Sequence, residues 1–359
     1  MSWTDAALIA FLITAALILA LRPVAFAIGL VDRPGGRKGH QGIVPVVGGI
    51  CMFLGLAAVL PLLQTPMQGQ GAFVVAGGLL VLIGALDDRF DIPPSVRLIA
   101  QATAALIVCL GAGLVVDSLG NLLFFGDIRI GILGLPFTIL VIISVINAFN
   151  MMDGLDGLAG GVGLAALAAG TFAAVVFGDG TGASLGLIAV AVVLSFLVFN
   201  FPSVHNRRVR TFMGDAGSTL LGFMVVWMGL KLAHGPAPVI SPVTALWLAA
   251  LPIFDLFISF GRRIAKGQNP LHPDSEHMHH ILFRAGFSVR QVASIMTGMA
   301  FAVAMTGVLA HRAGVPDGVL FLGLIVIGAV QLWTVRRAWK LARWLRRWRG
   351  EEAAQRVRG

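Results

Sequence analysis

The segment NAFNMMDGLDGLAGG, residues 147–161, follows the apolar run Ile130–Ile146 and places four polar side chains at its end: Asn147, Asn150, Asp153 and Asp156. Carboxylates at the end of a membrane-length segment are costly unless they face water, a cation or a polar ligand. Three-residue steps drift around a helix, so the first and last of these side chains would face opposite ways on an unbroken one. A glycine-rich turn would explain the glycines but not the regular three-residue spacing of the four polar side chains. We therefore interpret the segment as a broken helix whose polar side chains converge on a ligand.

The composition indicates an integral membrane protein. Of 359 residues, 57% are hydrophobic and 12% are charged, and the mean hydropathy is +0.90, whereas soluble domains carry about 25% charged residues. The net charge of +9 would suit nucleic acid, but its placement along the chain is better explained by membrane topology, and no nucleic-acid partner is predicted. Cys51 and Cys109 both lie in apolar segments, which favours neither a disulfide nor a metal site.

Eleven segments are apolar and long enough to predict an all-α polytopic membrane protein. The first, residues 6–21, has Asp5 before it and Arg22 after it, which is the reverse of a secretory signal and indicates a retained helix with an external N-terminus. The other ten predicted spans are 44–63, 71–86, 95–116, 131–147, 158–177, 183–201, 217–234, 242–261, 291–310 and 316–335.

The distribution of basic residues supports this topology. With an external N-terminus, all 26 Lys and Arg fall on one side except Arg129, Arg312 and the ambiguous Lys231. Basic residues accumulate on the cytoplasmic side of membrane proteins, so we predict a catalytic membrane domain over residues 1–335 and a basic cytoplasmic tail over 336–359.

Two smaller elements are predicted outside the spans. The external connection 117–130 has two short β-type runs around Gly126 and Asp127, which predicts a small hairpin. The tail carries an apolar stripe beside many arginines, and this pattern is typical of an interfacial helix on anionic membrane lipid, with partner docking as the weaker alternative. The stripe consists of Leu341, Trp344, Leu345 and Trp348.

All of the polar clusters fall on the predicted cytoplasmic side. A transporter would place polar groups on broken helices in the middle of the membrane, whereas here they collect at helix ends. This arrangement favours an enzyme that acts on a lipid head group and a soluble polar substrate. The clusters lie within Arg33–His40, Asp87–Asp91, Asn147–Gly161, Asn206–Ser218 and Arg262–Arg284.

The acidic candidates divide into separate roles. Asp87 and Asp88 end a span and point about 100° apart on a helix, so one could bind a cation while the other contacts or deprotonates an acceptor; a pair of solvated stop charges is the alternative. Asp215 is the only acid in its basic loop, and oxygen ligands from separate loops suit Mg²⁺ better than zinc. Phe212 could stack on a base, or simply pack. Asp255 lies inside a span and is interpreted as a structural partner rather than a catalyst.

The fifth loop contains a histidine cluster. His277, His279 and His280 lie within four residues, near Arg262 and Arg263. No cysteine and no H-E-x-x-H spacing supports a zinc site. We interpret these histidines as phosphate binders or proton donors.

Four motifs occur in an order that carries a resemblance: DDRFD after a span, NAFNMMDGLDGLAGG, FMGDAGS and EHMHH. In these motifs the chain resembles the polyprenyl-phosphate N-acetylhexosamine-1-phosphate transferases, over about Arg33–Ser288. The segments EHMHHILFRAGFS and RKGHQGIVPVVGG are most similar to the undecaprenyl-phosphate N-acetylglucosamine-1-phosphate transferase branch.

The resemblance implies a reaction. Undecaprenyl phosphate would attack the β-phosphate of a UDP-N-acetylhexosamine, giving a lipid-linked sugar diphosphate and UMP at the cytoplasmic face of a bacterial inner membrane. The expected donor sugar is N-acetylglucosamine, and the reaction would begin O-antigen or another envelope polysaccharide. A deoxy-N-acetylhexosamine and the muramoyl-pentapeptide are the alternative donors. A transporter or lipid flippase is the alternative from another class, and a homodimer is left open.

The resemblance also implies residue roles. Asp215 and Asp87 would hold Mg²⁺, with Mn²⁺ as the alternative ion, and Asp88 would be the base or a lipid-phosphate contact. The candidate catalytic residues are Asp87, Asp88, Asp156, His277, His279 and His280. The candidate substrate-binding residues are Asn147, Asn150, Asp153 and Phe212 at the nucleotide, and Lys38, His40, Arg262 and Arg263 at the phosphates.

Overall fold

The computed structural model describes residues 1–33, 42–63, 65, 67–203, 210–268, 277–337, 340 and 343–344. Within these residues the chain is almost entirely helical. The helices are α1 Trp3–Ile28, α2 Gly48–Val59, α3 Gln70–Phe90, α4 Pro94–Ala112, α5 Gly134–Met152, α6 Leu158–Phe177, α7 Gly180–Asn200, α8 Gly214–His234, α9 Pro242–Leu248, α10 Ala250–Ala265, α11 Met278–Arg284, α12 Val289–Arg312 and α13 Asp317–Arg336. Short 3₁₀ turns cover Leu60–Leu62 and Gly131–Leu133.

The all-α polytopic membrane fold is confirmed, and each of the eleven predicted segments contains helix. Among the described residues, nine helices are long and apolar enough to cross a membrane by themselves. The other two segments differ from simple spans. The segment Gly48–Leu62 is a shorter apolar helix, roughly 22 Å long at 1.5 Å per residue, which is less than a bilayer core of about 30 Å. The segment at 242–261 is broken, because α9 and α10 meet at 80°.

The strands do not lie where the sequence predicted them. A two-stranded antiparallel sheet pairs β1 Val31–Asp32 with β2 Val44–Pro45. The predicted hairpin over 117–130 is instead a loop with one antiparallel bridge, between Ser118 and Arg129. Positive φ angles interrupt the extended backbone there, at Gly120, Phe124 and Gly126. The predicted interfacial helix of the tail lies largely outside the described residues.

Helix α8 is the centre of the bundle. Nearly all of its residues from Ala216 onward are buried, and it contacts α2, α3, α5, α6, α7 and α9. Its first turn is approached very closely by two glycines. A Cβ on Gly84 of α3 would lie 2.4 Å from the Cα of Ala216, and one on Gly49 of α2 would lie 2.2 Å from the backbone nitrogen of Gly217. Small residues permit such close helix contacts in membranes, and here they bring α3 against the start of α8.

Replacing Gly84 by alanine is expected to force α3 away from α8. Overpacking of this kind costs about 1–3 kcal/mol, so the Gly84→Ala variant should melt at a lower temperature in detergent. Gly298→Ala in α12 is the matched control, because its added Cβ would meet nothing within 4 Å and helix propensity would even gain about 0.5–1 kcal/mol. Equal melting temperatures for the two variants would contradict the proposed close contact.

Candidate active site

A cavity of about 550 Å³ lies among α3, α4, α5, α8, α10 and α11. Its lining side chains divide into a polar set and an apolar set, which we call the polar end and the apolar end. The polar end is lined by Arg97, Gln101, Asn147, Asn150, Asp215, Arg263, His277, His279 and His280. The apolar end is lined mainly by Leu80, Ile83, Leu98, Leu140, Ile143, Leu256 and Phe260.

The apolar end of the cavity reaches the surface that faces lipid. Leu98 of α4 and Leu140 of α5 line the cavity, and they are 48% and 63% exposed. Both belong to membrane-spanning helices, so their exposed surface faces the bilayer. A molecule with a hydrocarbon chain and a charged head could therefore enter from the membrane and place its head at the polar end.

Two carboxyl groups meet at the polar end. Asp87 is buried and accepts hydrogen bonds from the backbone N–H of Ile92 at 2.9 Å and from Arg97 at 2.7 Å. Its carboxyl group is also close enough to that of Asp215 to share a hydrogen bond. Adjacent carboxylates repel each other unless a proton or a cation lies between them.

The amides of α5 hold this region together. The Asn150 amide donates to the Asp215 carboxylate and, at 3.0 Å, to the Ser218 hydroxyl. The Asn147 amide donates to the side-chain oxygen of Gln101 at 2.6 Å. Asn150 therefore ties α5 to α8, and Asn147 ties α5 to α4.

Asp88 caps the first turn of α8. One carboxylate oxygen accepts the backbone N–H of Asp215 at 2.8 Å, and the other accepts that of Ala216 at 3.2 Å. The first N–H groups of a helix have no partner within it, and an acidic group there also favours the helix dipole. The cap requires glycine at position 214, because φ is +68° and a Cβ would lie 2.4 Å from an Asp88 oxygen. Both oxygens of Asp88 thus have backbone partners.

The segment between α5 and α6 breaks the helix as expected, but its two carboxylates do not line the cavity. Helix α5 ends at Met152, and α6 begins after Gly157, where φ is +74°. Asp153 is exposed. Asp156 forms an ion pair with Arg210.

Arg210 also covers the ring that was predicted to stack on a base. Its guanidinium carbon lies 4.9 Å from the ring centre of Phe212, a distance typical of a cation–π contact. Phe212 and Asp156 are therefore neighbours of the same arginine, beside the cavity rather than on its lining.

The histidine cluster lies against α10. His277 Nδ1 is 2.7 Å from a carboxylate oxygen of Asp255 and 3.2 Å from the Ser259 hydroxyl. The rings of His277 and His279 are parallel within 4°, with centres 5.5 Å apart, and the ring of His280 lies 4.2 Å from that of His279.

His279 is kept uncharged by its surroundings. It is only 1% exposed, and burial is the main cause that lowers its pKa to about 3, followed by repulsion from His280 and His277. A histidine with this pKa is neutral at every physiological pH.

Comparison with known proteins identifies the family. Residues 71–233 match the family described as glycosyl transferase family 4. The chain is 38% identical over 340 residues to the undecaprenyl-phosphate alpha-N-acetylglucosaminyl 1-phosphate transferases of Salmonella typhi and of Escherichia coli strain K12, covering 94% of this chain and 92% of each relative. The similarly named protein of Pasteurella multocida is 36% identical over 332 residues. The chain belongs to glycosyl transferase family 4.

The family match spans α3 to α8, and so it contains Asp87, Asp88, Asn150 and Asp215 but not the histidine cluster. Of the remaining predicted site residues, Arg263 lines the cavity and Arg262 does not. Lys38 and His40 lie outside the described residues, and their predicted phosphate contacts stay predictions.

Several residues of this family-4 site were missed from the sequence. Arg97 and Gln101 line the cavity from α4 and contact Asp87 and Asn147. Arg210 was noted only as one base of a charged loop. A lone polar residue within an apolar span is a signal for a functional site, and Arg97 and Gln101 carry that signal.

The buried His279 should make the protein less stable in acid. A histidine in an unfolded chain takes up a proton near pH 6.5, whereas folded His279 stays neutral down to about pH 3. The unfolded state therefore binds more protons in this window, and stability is lost as the pH falls through it. We expect the melting temperature of His279→Gln to fall less than that of the wild type between pH 7.5 and 4.5.

His311→Gln, at the far end of α12, is the control for this measurement and should keep the wild-type slope. A wild-type slope in His279→Gln as well would contradict the assigned environment of His279.

Proposed function

We propose that the protein transfers N-acetylglucosamine-1-phosphate from UDP-N-acetylglucosamine to undecaprenyl phosphate. It would release UMP and begin the synthesis of O-antigen or another envelope polysaccharide, at the cytoplasmic face of a bacterial inner membrane. The names of the relatives support the acceptor and the transferred group. The observation that carries the proposal is the cavity, which opens to lipid at one end and ends in the Asp87–Asp215 contact at the other.

The acceptor lipid fits the two ends of the cavity. Its hydrocarbon chain would lie against the leucines and isoleucines of α3, α4 and α5. Its phosphate would then meet the two arginines of the polar end, Arg97 and Arg263, because guanidinium groups bind phosphate oxygens in pairs. A soluble sugar nucleotide would approach from the cytoplasmic side, where the third and fourth loops place Asp153, Asp156 and Phe212.

We propose Mg²⁺ as the cofactor, held by Asp215 and Asp87, with Mn²⁺ as the alternative ion. Two adjacent carboxyl groups need a positive charge between them, and Mg²⁺ commonly binds one or two carboxylates together with substrate phosphate oxygens. In the described part of the chain, no group of three or more His, Cys, Asp or Glu could hold a metal without such added ligands. The bound ion would neutralise charge on the diphosphate during transfer.

We propose direct attack by the lipid phosphate, without a covalent enzyme intermediate. The second pKa of a phosphate monoester is about 6, so the acceptor is already ionised near neutral pH and requires little help from a base. Asp88, the residue predicted as that base, has both oxygens on backbone N–H groups. We therefore propose that Asp88 acts by placing Asp215 at the start of α8.

The transfer reaction can be tested directly. Purified protein with radiolabelled UDP-N-acetylglucosamine and undecaprenyl phosphate should give butanol-soluble label and an equal amount of UMP, and a chelator should abolish both. Asp215→Asn should lower kcat by about 100-fold or more, since a lost electrostatic contact to the transition state costs about this much. Asp127→Asn in the exposed external loop is the control and should behave as wild type.

A preference for another UDP sugar would overturn the choice of donor. Transport of lipid without UMP release, unaffected by Asp215→Asn, would instead favour the flippase alternative.

An experiment can distinguish whether Asp88 positions Asp215 or acts as a catalytic base. If Asp88 positions Asp215, Asp88→Asn should raise the Mg²⁺ concentration for half-maximal rate by roughly 10-fold, as found for residues that orient metal ligands. Saturating Mg²⁺ should then restore most of the rate. Asp91→Asn is the matched control, because Asp91 is exposed and its left-handed backbone, with φ of 52°, suits asparagine.

A lost catalytic base would have a different signature. It would lower kcat at saturating Mg²⁺ and leave the Mg²⁺ requirement unchanged, and this result would contradict the positioning role of Asp88.

A further inference from the structure

We propose that Asp255 is a positioning residue whose carboxylate fixes the tautomer and the orientation of His277, so that this histidine presents Nε2 to the cavity. The proposal rests on the transfer reaction proposed above and extends it to a residue that the sequence indicated only as a structural partner. Nothing in the family match covers it, because Asp255 lies beyond residues 71–233.

The position of Asp255 follows from the break between α9 and α10. The chain turns by 80° there, and Asp255 lies in the second turn of α10, 3% exposed. One of its oxygens is 2.7 Å from His277 Nδ1, and the other accepts the backbone N–H of Met278 at 3.3 Å. A single carboxylate therefore holds both the imidazole ring and the first turn of α11.

The contact decides which ring nitrogen carries a proton. An ionised carboxylate only accepts hydrogen bonds, so Nδ1 of His277 must be the donor whether the ring is neutral or charged. In the neutral ring Nε2 is then an acceptor, and in the charged ring it is a donor. His277 lines the polar end of the cavity, so its state determines what it offers to a sugar diphosphate.

The position of the proton on His277 matters because other histidines lie beside this ring. Two stacked imidazoles 5.5 Å apart disfavour simultaneous protonation because like charges repel. His279 is the neutral member of the pair, and the nearest heavy atom to a Cβ built on Gly154 would be its Nε2, at 3.2 Å, so it packs against the third loop. The Asp255 carboxylate lies 2.7 Å from Nδ1 of His277, so it fixes the proton on that nitrogen and leaves Nε2 of the same ring available in the cavity that both rings line.

A purely structural role would need no charge. A neutral amide could accept the Met278 N–H and join α10 to α11, whereas a buried carboxylate within a membrane-spanning segment is costly. The two roles can therefore be distinguished by Asp255→Asn, which keeps a hydrogen-bonding side chain of similar size and removes the charge.

The first test is the pH profile of transfer. Asp255→Asn removes the carboxylate that faces Nδ1 of His277, so the pH profile of kcat/KM should differ from that of the wild type. The substitution should also lower the maximum roughly 10- to 100-fold, the usual effect of removing the partner of a functional histidine. Among the described residues, the other charged or titratable groups on the cavity wall and on helices α10 to α13 are unchanged in this variant: Arg97, Asp215, Arg262, Arg263, His279, His280, Arg284, Arg290, His311, Arg312, Asp317 and Arg336.

The matched control is Asp179→Asn. Asp179 pairs with Lys231 at 2.7 Å, and both are largely buried, but this pair lies on the external side of the membrane. The control should lose stability in a melting experiment and keep the wild-type pH profile. A shifted profile in the control would overturn the assignment of the shift to His277.

The second test does not depend on activity. In protein labelled with ¹⁵N-histidine, with His277 assigned from the His277→Gln variant, the ring signals should show a protonated Nδ1 in the wild type. In Asp255→Asn they should move toward protonation at Nε2. Unchanged ring signals together with an unchanged pH profile would overturn the proposal and leave Asp255 as a structural anchor. A wild-type protein that transfers no sugar phosphate would instead overturn the proposed function, since the nitrogen signals report the Asp255–His277 pair by themselves.

Discussion

The hydrogen bonds between the Asp88 carboxylate and the first N–H groups of α8 are the interaction on which the site depends. They join the C-terminal end of α3 to the start of α8, the most central helix, and they place Asp87 and Asp215 side by side. Two glycines make this contact possible. A Cβ at Gly84 would clash with the backbone of Ala216, and a Cβ at Gly214 would clash with the carboxylate of Asp88. One polar contact at the membrane surface thus determines both how two helices pack and where two acidic groups lie.

The cavity lining has an apolar part and a polar part. Leucines and isoleucines of α3, α4, α5 and α10 form most of the apolar part, and the polar part includes Gln101 within α4 and Asn147 and Asn150 near the end of α5. A ligand that is apolar over most of its length and charged at one end matches this lining.

Features that depend on local sequence could be predicted, whereas features that depend on contacts between distant residues could not. Apolar length is a local property, so each of the eleven predicted segments contains helix, whereas the topology inferred from the charge asymmetry of their loops stays a prediction. Two features depend on tertiary packing, and no local sequence pattern predicts them: the break between α9 and α10, and the short length of α2. The same holds for the site. The motifs FMGDAGS and NAFNMMDGLDGLAGG predicted Asp215 and Asn150 as site residues. The sequence did not predict two pairings of residues that are distant in the sequence, Asp156 with Arg210 and Asp255 with His277.

A comparison of the acidic residues shows where charge remains unbalanced. Asp87 has Arg97, Asp156 has Arg210, and Asp255 has His277, while Asp88 has two backbone N–H groups at a helix start. Asp215 differs, because its hydrogen-bond donor among the described side chains is the neutral amide of Asn150 and its neighbour is another carboxyl group. Each of these four other acids has a positive or dipolar partner supplied by the protein. Asp215 lies at the polar end of the lipid-facing cavity, where a cation bound together with substrate phosphates would balance its charge and that of the neighbouring carboxyl group.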